Sequence, residues 1–447
     1  MVNKKIGIVS LGCPKNLVDS EIMLGMLSNA NYEIINNKDD ADILIVNTCG
    51  FIESAQQESI NTILEMAEEK KRKCEVLIVT GCMAERYKEK IFEQIPEVDA
   101  VLGTGNYKEI AQVIDLAYKG EKTISYGRLD DTDYLDEERI ISSSKHSVYL
   151  KISEGCDNRC TYCIIPYLRG KYRSRKIESL KKETEHLVKN GAKEIVLVAQ
   201  DTTRYGIDLY GKKMLPELIQ ELSNVDGVEW IRLLYCYPEE IDDELIAEIA
   251  SNPKVCKYLD IPIQHAADRI LKLMGRRGNI SEIRLALNKL RKSVKDIVIR
   301  TTMIVGFPDE TEEDFEQLLS FVNEFKFDRL GVFTYSKEEG TPAAKMKNQI
   351  KKSIKQKRQK AILEQQNAIS MEKNSNRVGK VYKAIVDGIA DDGIFYYGRT
   401  YAEAPEIDGL VYFTSQEPLS IGNFVNIKIL NAEEYDLIGE VINEFAE

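Results

Sequence analysis

Between residues 146 and 340 the sequence alternates six times between a short apolar run and a helical pattern, and this alternation limits the fold more than any other feature. The runs fall at 148–152, 195–199, 231–235, 258–263, 297–305 and 330–335. Each of the first five leads into a helical pattern, such as 242–250 or 315–325. The last of these opens with Thr311-Glu312-Glu313-Asp314, which has the form of a capping box. Strands that are apolar throughout need cover on both faces, and helices placed between parallel strands provide it. With no antiparallel signal, the six units predict a partial (β/α)6 barrel of the TIM type, with function at the carboxyl ends of its strands.

Residues 1–120 follow the same grammar. Apolar runs at 6–10, 43–47, 76–80 and 100–102 alternate with helical patterns at 17–28, 53–69 and 85–94, predicting a second parallel α/β sheet. Residues 121–145, rich in Asp, Ser and Thr, read as a connector. The segment 345–373 carries nine Lys/Arg against two Asp/Glu and predicts one helix, exposed or bridging two domains. Beyond it, β-type runs at 382–386, 410–413, 424–430 and 437–441 are separated by Gly, Asp and Pro turns, the pattern of a small all-β barrel. The expected class is α/β plus a small all-β domain, with units at 1–120, 142–372 and 375–441.

The 61 Lys+Arg against 73 Asp+Glu, a net charge of −12, argue against a generally basic nucleic-acid coat protein and leave a local basic patch open. No run approaches the roughly 18 apolar residues of a membrane span. Met1-Val2-Asn3-Lys4-Lys5 looks like the start of a signal peptide, but Pro14, Lys15 and Asn16 cut the following apolar segment short. A cytoplasmic protein without membrane contact is expected. In such a chain nine cysteines speak for metal or redox chemistry rather than for disulfides.

The sharpest local signal is Cys156-Asp157-Asn158-Arg159-Cys160-Thr161-Tyr162-Cys163, just past the first barrel strand. Three thiolates at this spacing can hold one face of a 4Fe-4S cube and leave its fourth iron open to a small chelating molecule. A structural zinc site is the alternative; it would take a fourth ligand from Cys236, Cys256 or His265, and the paired CxxC knuckles usual for zinc are missing. The CxxxCxxC loop with Tyr162 before its last cysteine, opening a six-fold strand–helix barrel, resembles the radical S-adenosylmethionine superfamily. That resemblance implies S-adenosylmethionine on the open iron and its cleavage, by an electron from the cluster, to a 5′-deoxyadenosyl radical.

A second signal lies in position rather than spacing. Cys13, Cys49 and Cys82 each follow the end of an apolar run of the first sheet, beside Gly12, Gly50 and Gly81. Parallel strands place their carboxyl ends on one edge, so three thiols distant in sequence should meet in one crevice and hold a second cluster. Any one of them alone would read as an ordinary buried cysteine. Cys74, Cys236 and Cys256 lack this placement and are expected in the core. With two clusters, the order of an N-terminal three-cysteine domain, a radical barrel and a TRAM-like β-barrel is similar to the methylthiotransferases. Ser10-Leu11-Gly12-Cys13-Pro14-Lys15-Asn16 and Ser153-Glu154-Gly155-Cys156 carry the resemblance. It implies conversion of C–H to C–S–CH3, with sulfur from the auxiliary cluster, methyl from a second S-adenosylmethionine, a sulfur donor, and a low-potential electron donor such as flavodoxin or ferredoxin.

The family's branches act on an aspartate of ribosomal protein S-twelve or on transfer-RNA adenosine. Residues 375–447 hold five Lys/Arg and thirteen Asp/Glu, a net −8 that suits a basic protein better than phosphates. Ser10–Asn16 and Glu403-Ala404-Pro405-Glu406-Ile407-Asp408-Gly409 also look like the ribosomal-protein branch, while the basic segment 345–373 could contact RNA. Beta-methylthiolation of the aspartate is the expected activity, with 2-methylthiolation of transfer-RNA adenosine as the alternative. Tyr162, Gln200, Asp201 and Gly306, on the functional rim, are candidates for holding the cofactor. His265 is read more readily as a structural histidine. Arg169, Lys171, Arg173 and Arg175 are either substrate or cofactor contacts or exposed charge.

Overall fold

The computed structural model describes residues 4–442. Its first sheet contains β1 (Lys5–Ser10), β2 (Glu33–Ile34), β3 (Ile43–Thr48), β4 (Val76–Gly81), β5 (Ala100–Leu102) and β6 (Thr123–Ser125), all parallel, in the order β2-β1-β3-β4-β5-β6. Both β3 and β4 are buried along their whole length, as apolar strands between two helical layers must be. Four of the six are the expected runs. The other two, β2 and β6, are short and at most half-buried, so they leave no apolar signature. Because β6 lies in the expected connector, the sheet continues past residue 120. The rest of that segment is a strap: Arg139 is buried against Glu21 at 2.7 Å, and Tyr134 is buried beside it in the chain. The helical pattern at 85–94 becomes two helices, Cys82–Tyr87 and Glu89–Gln94, because Lys88 has a φ of 47° that no helix interior tolerates.

The central unit has β7 (Ser147–Lys151), a two-residue pair β8 (Ser153–Glu154) and β9 (Arg173–Ser174), then β10 (Glu194–Val198), β11 (Trp230–Leu233), β12 (Val255–Asp260), β13 (Val298–Val305) and β14 (Arg329–Thr334). Its six main strands run parallel in the order β14-β13-β12-β11-β10-β7, an open half-barrel. The expectation of no antiparallel pairing fails at β8–β9, where Ser153 faces Ser174 and Glu154 faces Arg173. That pair closes the base of the loop carrying Cys156, Cys160 and Cys163. The capping box forms as read, with Thr311 at the N-cap of Glu312–Phe325.

The six-stranded sheet stays open between its edge strands β14 and β7, and the neighbours complete the enclosure. The basic segment forms the helix Lys352–Ser375, starting later than expected, and packs along edge strand β14. Gln359 donates to the Val332 carbonyl at 2.8 Å, and Ile362 and Ile369 are buried. On the concave face, Tyr149, Val196, Val198, Tyr258 and Val298 share one apolar cluster with Ile6, Val18 and Ile22 of the first unit and with Ile385, Ala402 and Ala404 of the third. The alternate residues Val148, Leu150, Ile195 and Leu197 pack outward, as the two-residue strand period requires. Helix Pro14–Asn29 sits between the first sheet and β7, which is why its polar residues Asn16, Asp19 and Glu21 are as buried as its apolar ones.

The last unit is a closed barrel, β15-β16-β17-β19-β18, made of β15 (Val381–Ile389), β16 (Tyr396–Thr400), β17 (Val411–Thr414), β18 (Phe424–Ala432) and β19 (Leu437–Val441). Only β16 was not among the expected runs; Gly398 and the buried Arg399 interrupt its apolar pattern. It docks at the amino ends of the half-barrel strands, where Arg399 and Arg232 each approach Glu194 at 2.7 Å. The loop after β16 reaches inside: Glu403 meets Arg329 at 3.1 Å, Glu406 the Tyr149 hydroxyl at 3.1 Å and Asp408 the Tyr258 hydroxyl at 2.7 Å. Part of the −8 charge of this unit is therefore engaged within the fold.

Candidate active site

At the opposite end, the carboxyl edge of the first sheet brings Cys13, Cys49 and Cys82 together. Cys13 is the N-cap of Pro14–Asn29, Cys49 directly follows β3, and Cys82 opens the helix Cys82–Tyr87. Two glycines allow the approach. A Cβ on Gly12 would stand 2.7 Å from the Cys49 Cβ and 2.9 Å from its Sγ, and one on Gly50 would stand 2.9 Å from the Met83 amide nitrogen. Asn16 pins two of the loops, donating to the Leu11 and Thr48 carbonyls at 3.0 and 2.9 Å. Burial pushes the Cys49 thiol up to about 12, with Cys82 and Cys13 adding to the effect, and burial also raises Cys82 against the pull of Arg169. Each thiol thus lies within electrostatic reach of the others.

The second triplet is local. Its loop is tied down at both flanks: Cys156 N–H donates to the Gly170 carbonyl at 3.1 Å, Thr161 N–H to the Met274 carbonyl at 2.8 Å, and Asn158 to the Asp201 carboxylate at 2.7 Å. Burial raises Cys156 to about 12 and raises Cys163 further, the latter reinforced by Cys160 and Cys156. Among the described residues no three His, Cys, Asp or Glu side chains gather around a single ion's position. A four-iron cube requires a wider spacing, since its thiolates cap separate corners. Its charge also supplies what these raised thiols lack, because a metal-coordinated thiol is deprotonated outright.

The two triplets face one another. Cys82 shares one small buried apolar cluster with Ile164 and Leu168, so the helix that the first sheet's third cysteine opens packs on the segment just after Cys163. Thr104 donates to the Leu168 carbonyl, and Arg86 meets Glu338 at 2.8 Å on the other side of the junction. Beneath runs a buried charge network. Arg169 reaches Asn16, Asp19 at 2.6 Å and Glu154 at 3.0 Å, while Lys151 binds Asp19 and Glu154. Burial works against Glu154, but Lys151 and Arg169 outweigh it and hold the carboxylate well below its usual range.

The other sequence-derived candidates separate into two groups. Tyr162 stacks edge-on against Phe307 at 6.5 Å, and Phe307 against Tyr335, so the cysteine loop and the Gly306-Phe307-Pro308 turn meet. Gln200 donates to Glu154 at 2.6 Å while its Oε1 is buried with no partner. Both Asp201 oxygens are engaged, by Asn158 and Thr203, so this residue steadies the cysteine loop. Gly306 and Phe307 turn their amides to Glu310, and Lys355 crosses over Gly306. His265 is fully buried; it accepts from the Ala267 amide, and burial lowers it to about 3. Cys74, Cys236 and Cys256 lie in the core. Arg169 and Arg175 are buried in ion pairs, Arg173 bonds carbonyls of its own loop, and Lys171 is exposed.

Sequence reasoning missed Arg276, Tyr237 and Gln264. Arg276 lies over the Tyr237 ring at 4.2 Å, and the Tyr237 hydroxyl is 3.5 Å from Cys160 Sγ. Arg276 Nε and Nη1 and Gln264 Oε1 are buried without partners, as is Gln200 Oε1. Orphaned buried polar atoms are costly, and these gather at the carboxyl rim beside the cysteine loop, as a bound polar ligand would require. No motif announces them; position just after strands β11 and β12 could have flagged Tyr237 and Gln264, whereas Arg276 lies beyond the helix Asp268–Leu273 and had no such mark.

Comparison with known proteins agrees with this architecture. Residues 5–103 match the model "Uncharacterized protein family UPF0004", residues 150–322 the Radical SAM superfamily and residues 378–442 the TRAM domain. Ribosomal protein uS12 methylthiotransferase RimO of Acetivibrio thermocellus is 60% identical over 99% of both chains. The proteins of the same name from Lachnoclostridium phytofermentans and Clostridium acetobutylicum are 54% and 53% identical, over 97% and 99% of this chain and 99% of each relative. Among solved structures, the radical S-adenosylmethionine methyltransferase TsrM from Kitasatospora setae, with cobalamin and a [4Fe-4S] cluster, superposes with a TM-score of 0.60 at 13% identity, covering 77% of each chain. The cobalamin-dependent enzyme OxsB gives 0.53 at 13% identity, covering 82% of this chain and 58% of that one. These structural likenesses speak to fold.

Proposed function

The chain belongs to the uS12 methylthiotransferase family of radical S-adenosylmethionine enzymes, and on that premise we propose how its residues divide the work. Its cofactors are two 4Fe-4S clusters and S-adenosylmethionine; when bound, they supply the reducing electron, the radical that breaks a C–H bond, and the sulfur and methyl groups that replace the hydrogen. Cys156, Cys160 and Cys163 hold the cluster of the half-barrel, and Cys13, Cys49 and Cys82 hold the auxiliary one. The apolar cluster that joins Cys82 to Ile164 and Leu168 supports this reading, because it puts the two cysteine-bearing segments side by side. A carbon radical must meet its sulfur donor before anything else, and such proximity serves that need.

Gln200 and Arg276, with free buried atoms, hold the polar part of S-adenosylmethionine, and Tyr162 walls the site against Phe307. Asp201 and Gly306 act one step back, Asp201 through Asn158 of the cysteine loop and Gly306 by letting Lys355 of the covering helix pass close. The buried ion pairs of Asp19, Lys151, Glu154 and Arg169 fix the two units at one separation and keep water out.

The substrate is ribosomal protein uS12, modified at the beta carbon of an aspartate. A ribosomal-protein substrate supports a cytoplasmic enzyme, supplied by a low-potential donor such as flavodoxin or ferredoxin and by a separate source of sulfur; no helix among the described residues is long and apolar enough to cross a membrane. The units expected at 1–120, 142–372 and 375–441, the first extended by β6 to residue 125, serve in turn sulfur delivery, radical generation and closure of the half-barrel. Mass spectrometry of uS12 from cells lacking this gene tests the reading: the methylthio group should disappear. An unchanged uS12 together with loss of 2-methylthioadenosine from transfer RNA would overturn it.

A further inference from the structure

Ten lysine and arginine side chains are buried among the described residues, and nine have a carboxylate within 4.0 Å. Lys15 is the tenth. It is 7% exposed and forms no ion pair with any described residue. Its Nζ rests 3.3 Å from the centre of the Tyr235 ring. Tyr235 lies just past β11, on the carboxyl rim of the half-barrel, and holds a φ of 61° with its amide bound to Asp260. Lys15 is two residues from Cys13, with Arg169 as its other charged neighbour. The ammonium therefore stands in the crevice between the two cysteine triplets.

A buried ammonium without an anion is expensive, and an aromatic face returns only about 2 kcal/mol of that cost. Elsewhere in this protein a carboxylate meets every buried cation. The nearest acidic groups are not free to do so here: Asp19 and Glu154 are taken by Lys151 and Arg169, and Asp260 by Arg300 at 2.8 Å. We propose that Lys15 is a specificity residue that receives the side-chain carboxylate of the substrate aspartate, seating its beta carbon between the two sites. The inference rests on the uS12 reading above. S-adenosylmethionine also carries a carboxylate, but the unpaired nitrogens of Arg276 lie on the half-barrel side, beside its cysteine loop, whereas Lys15 belongs to the sulfur-delivering unit.

The test pairs enzyme and substrate variants. Reconstituted holoenzymes (wild type, Lys15→Met and Lys15→Arg) are titrated anaerobically with uS12 and with uS12 whose target aspartate is replaced by Asn, and iron and sulfide are counted in each. Wild type should bind the aspartate form about 10–100-fold more tightly than the Asn form, the range expected for a charged hydrogen bond. Lys15→Met should weaken the aspartate form to the level of the Asn form, abolishing discrimination, while Lys15→Arg restores part of it. Discrimination that survives in Lys15→Met, or an equal loss for both substrates, would overturn the assignment, the latter marking Lys15 as a partner of the cofactors. Should Lys15→Met fail to load iron, the wild-type arm still decides, since no preference for aspartate over Asn defeats the proposal. A wild type that leaves uS12 unmodified but modifies transfer RNA defeats the uS12 reading instead.

Discussion

The two cysteine triplets reach similar chemistry by opposite routes. Cys156, Cys160 and Cys163 occupy eight consecutive residues, and their loop is clamped by β8–β9 at its base. Cys13, Cys49 and Cys82 span about seventy residues and meet only because β1, β3 and β4 are in register, Ser10 beside Asn47 and Asn47 beside Thr80. A local loop carries its geometry with it. A dispersed set borrows its geometry from a whole sheet, so anything that shifts one strand end disturbs all three cysteines.

The broadest way to break the comparison is to remove each set in turn. Replacing Cys156, Cys160 and Cys163 by Ala should abolish reductive cleavage of S-adenosylmethionine, read as 5′-deoxyadenosine. Replacing Cys13, Cys49 and Cys82 should stop methylthiolation, remove about half the iron and leave cleavage measurable. Cleavage lost in the second variant while its half-barrel cluster persists would erase the division of labour.

Gly12→Ala should sharpen it. The new methyl would lie 2.7 Å from the Cys49 Cβ at a φ of 88°, a strain of roughly 1–3 kcal/mol placed on the dispersed set alone. Iron bound by the auxiliary site should fall several-fold, with the half-barrel cluster retained in its electron paramagnetic resonance signal. In the local loop, Asn158→Ala leaves a buried Asp201 oxygen unpaired and should cost about 1–3 kcal/mol, seen as faster loss of the half-barrel cluster to a chelator.

The smallest effect at neutral pH concerns docking. Burial raises Glu194 and Glu403, but Arg399 and Arg232, and Arg377 and Arg329, overcome it and hold both carboxylates at about 2. A folded pKa below the unfolded one stabilises above the unfolded value and is lost as pH falls through the folded one. The C-terminal barrel should therefore stay docked at and above pH 5 and loosen between about 4.5 and 2, which limited proteolysis across that range would reveal. Glu194→Gln should flatten that response.

The same contrast explains what the sequence disclosed. The CxxxCxxC loop was readable because its cysteines are neighbours in the chain. The early triplet was readable because each cysteine ends an apolar run, a regularity that survives without knowledge of contacts. The half-barrel strands β7, β10, β11 and β12 were visible because burial on both faces writes a near-continuous apolar run, while β13 and β14 are partly exposed and showed through their scattered apolar residues. Short β2 and β6, and β16 with its buried Arg399, wrote none. Arg276, Gln264 and Lys15 escaped attention because what marks them is a missing partner, and partners are set by tertiary packing. Part of the acidity of the last unit is internal, since Glu403, Glu406 and Asp408 point into the half-barrel, a placement that composition alone does not reveal.

That inward loop has a consequence for how the chain matures. Until Glu403 and the residues after it have left the ribosome, the inner wall with Tyr149, Val196 and Tyr258 lacks one of its two covers, and a product truncated upstream would display that sticky hollow to chaperones and proteases. The hollow is thus shielded only after β15 and the loop beyond β16 have been made and have docked.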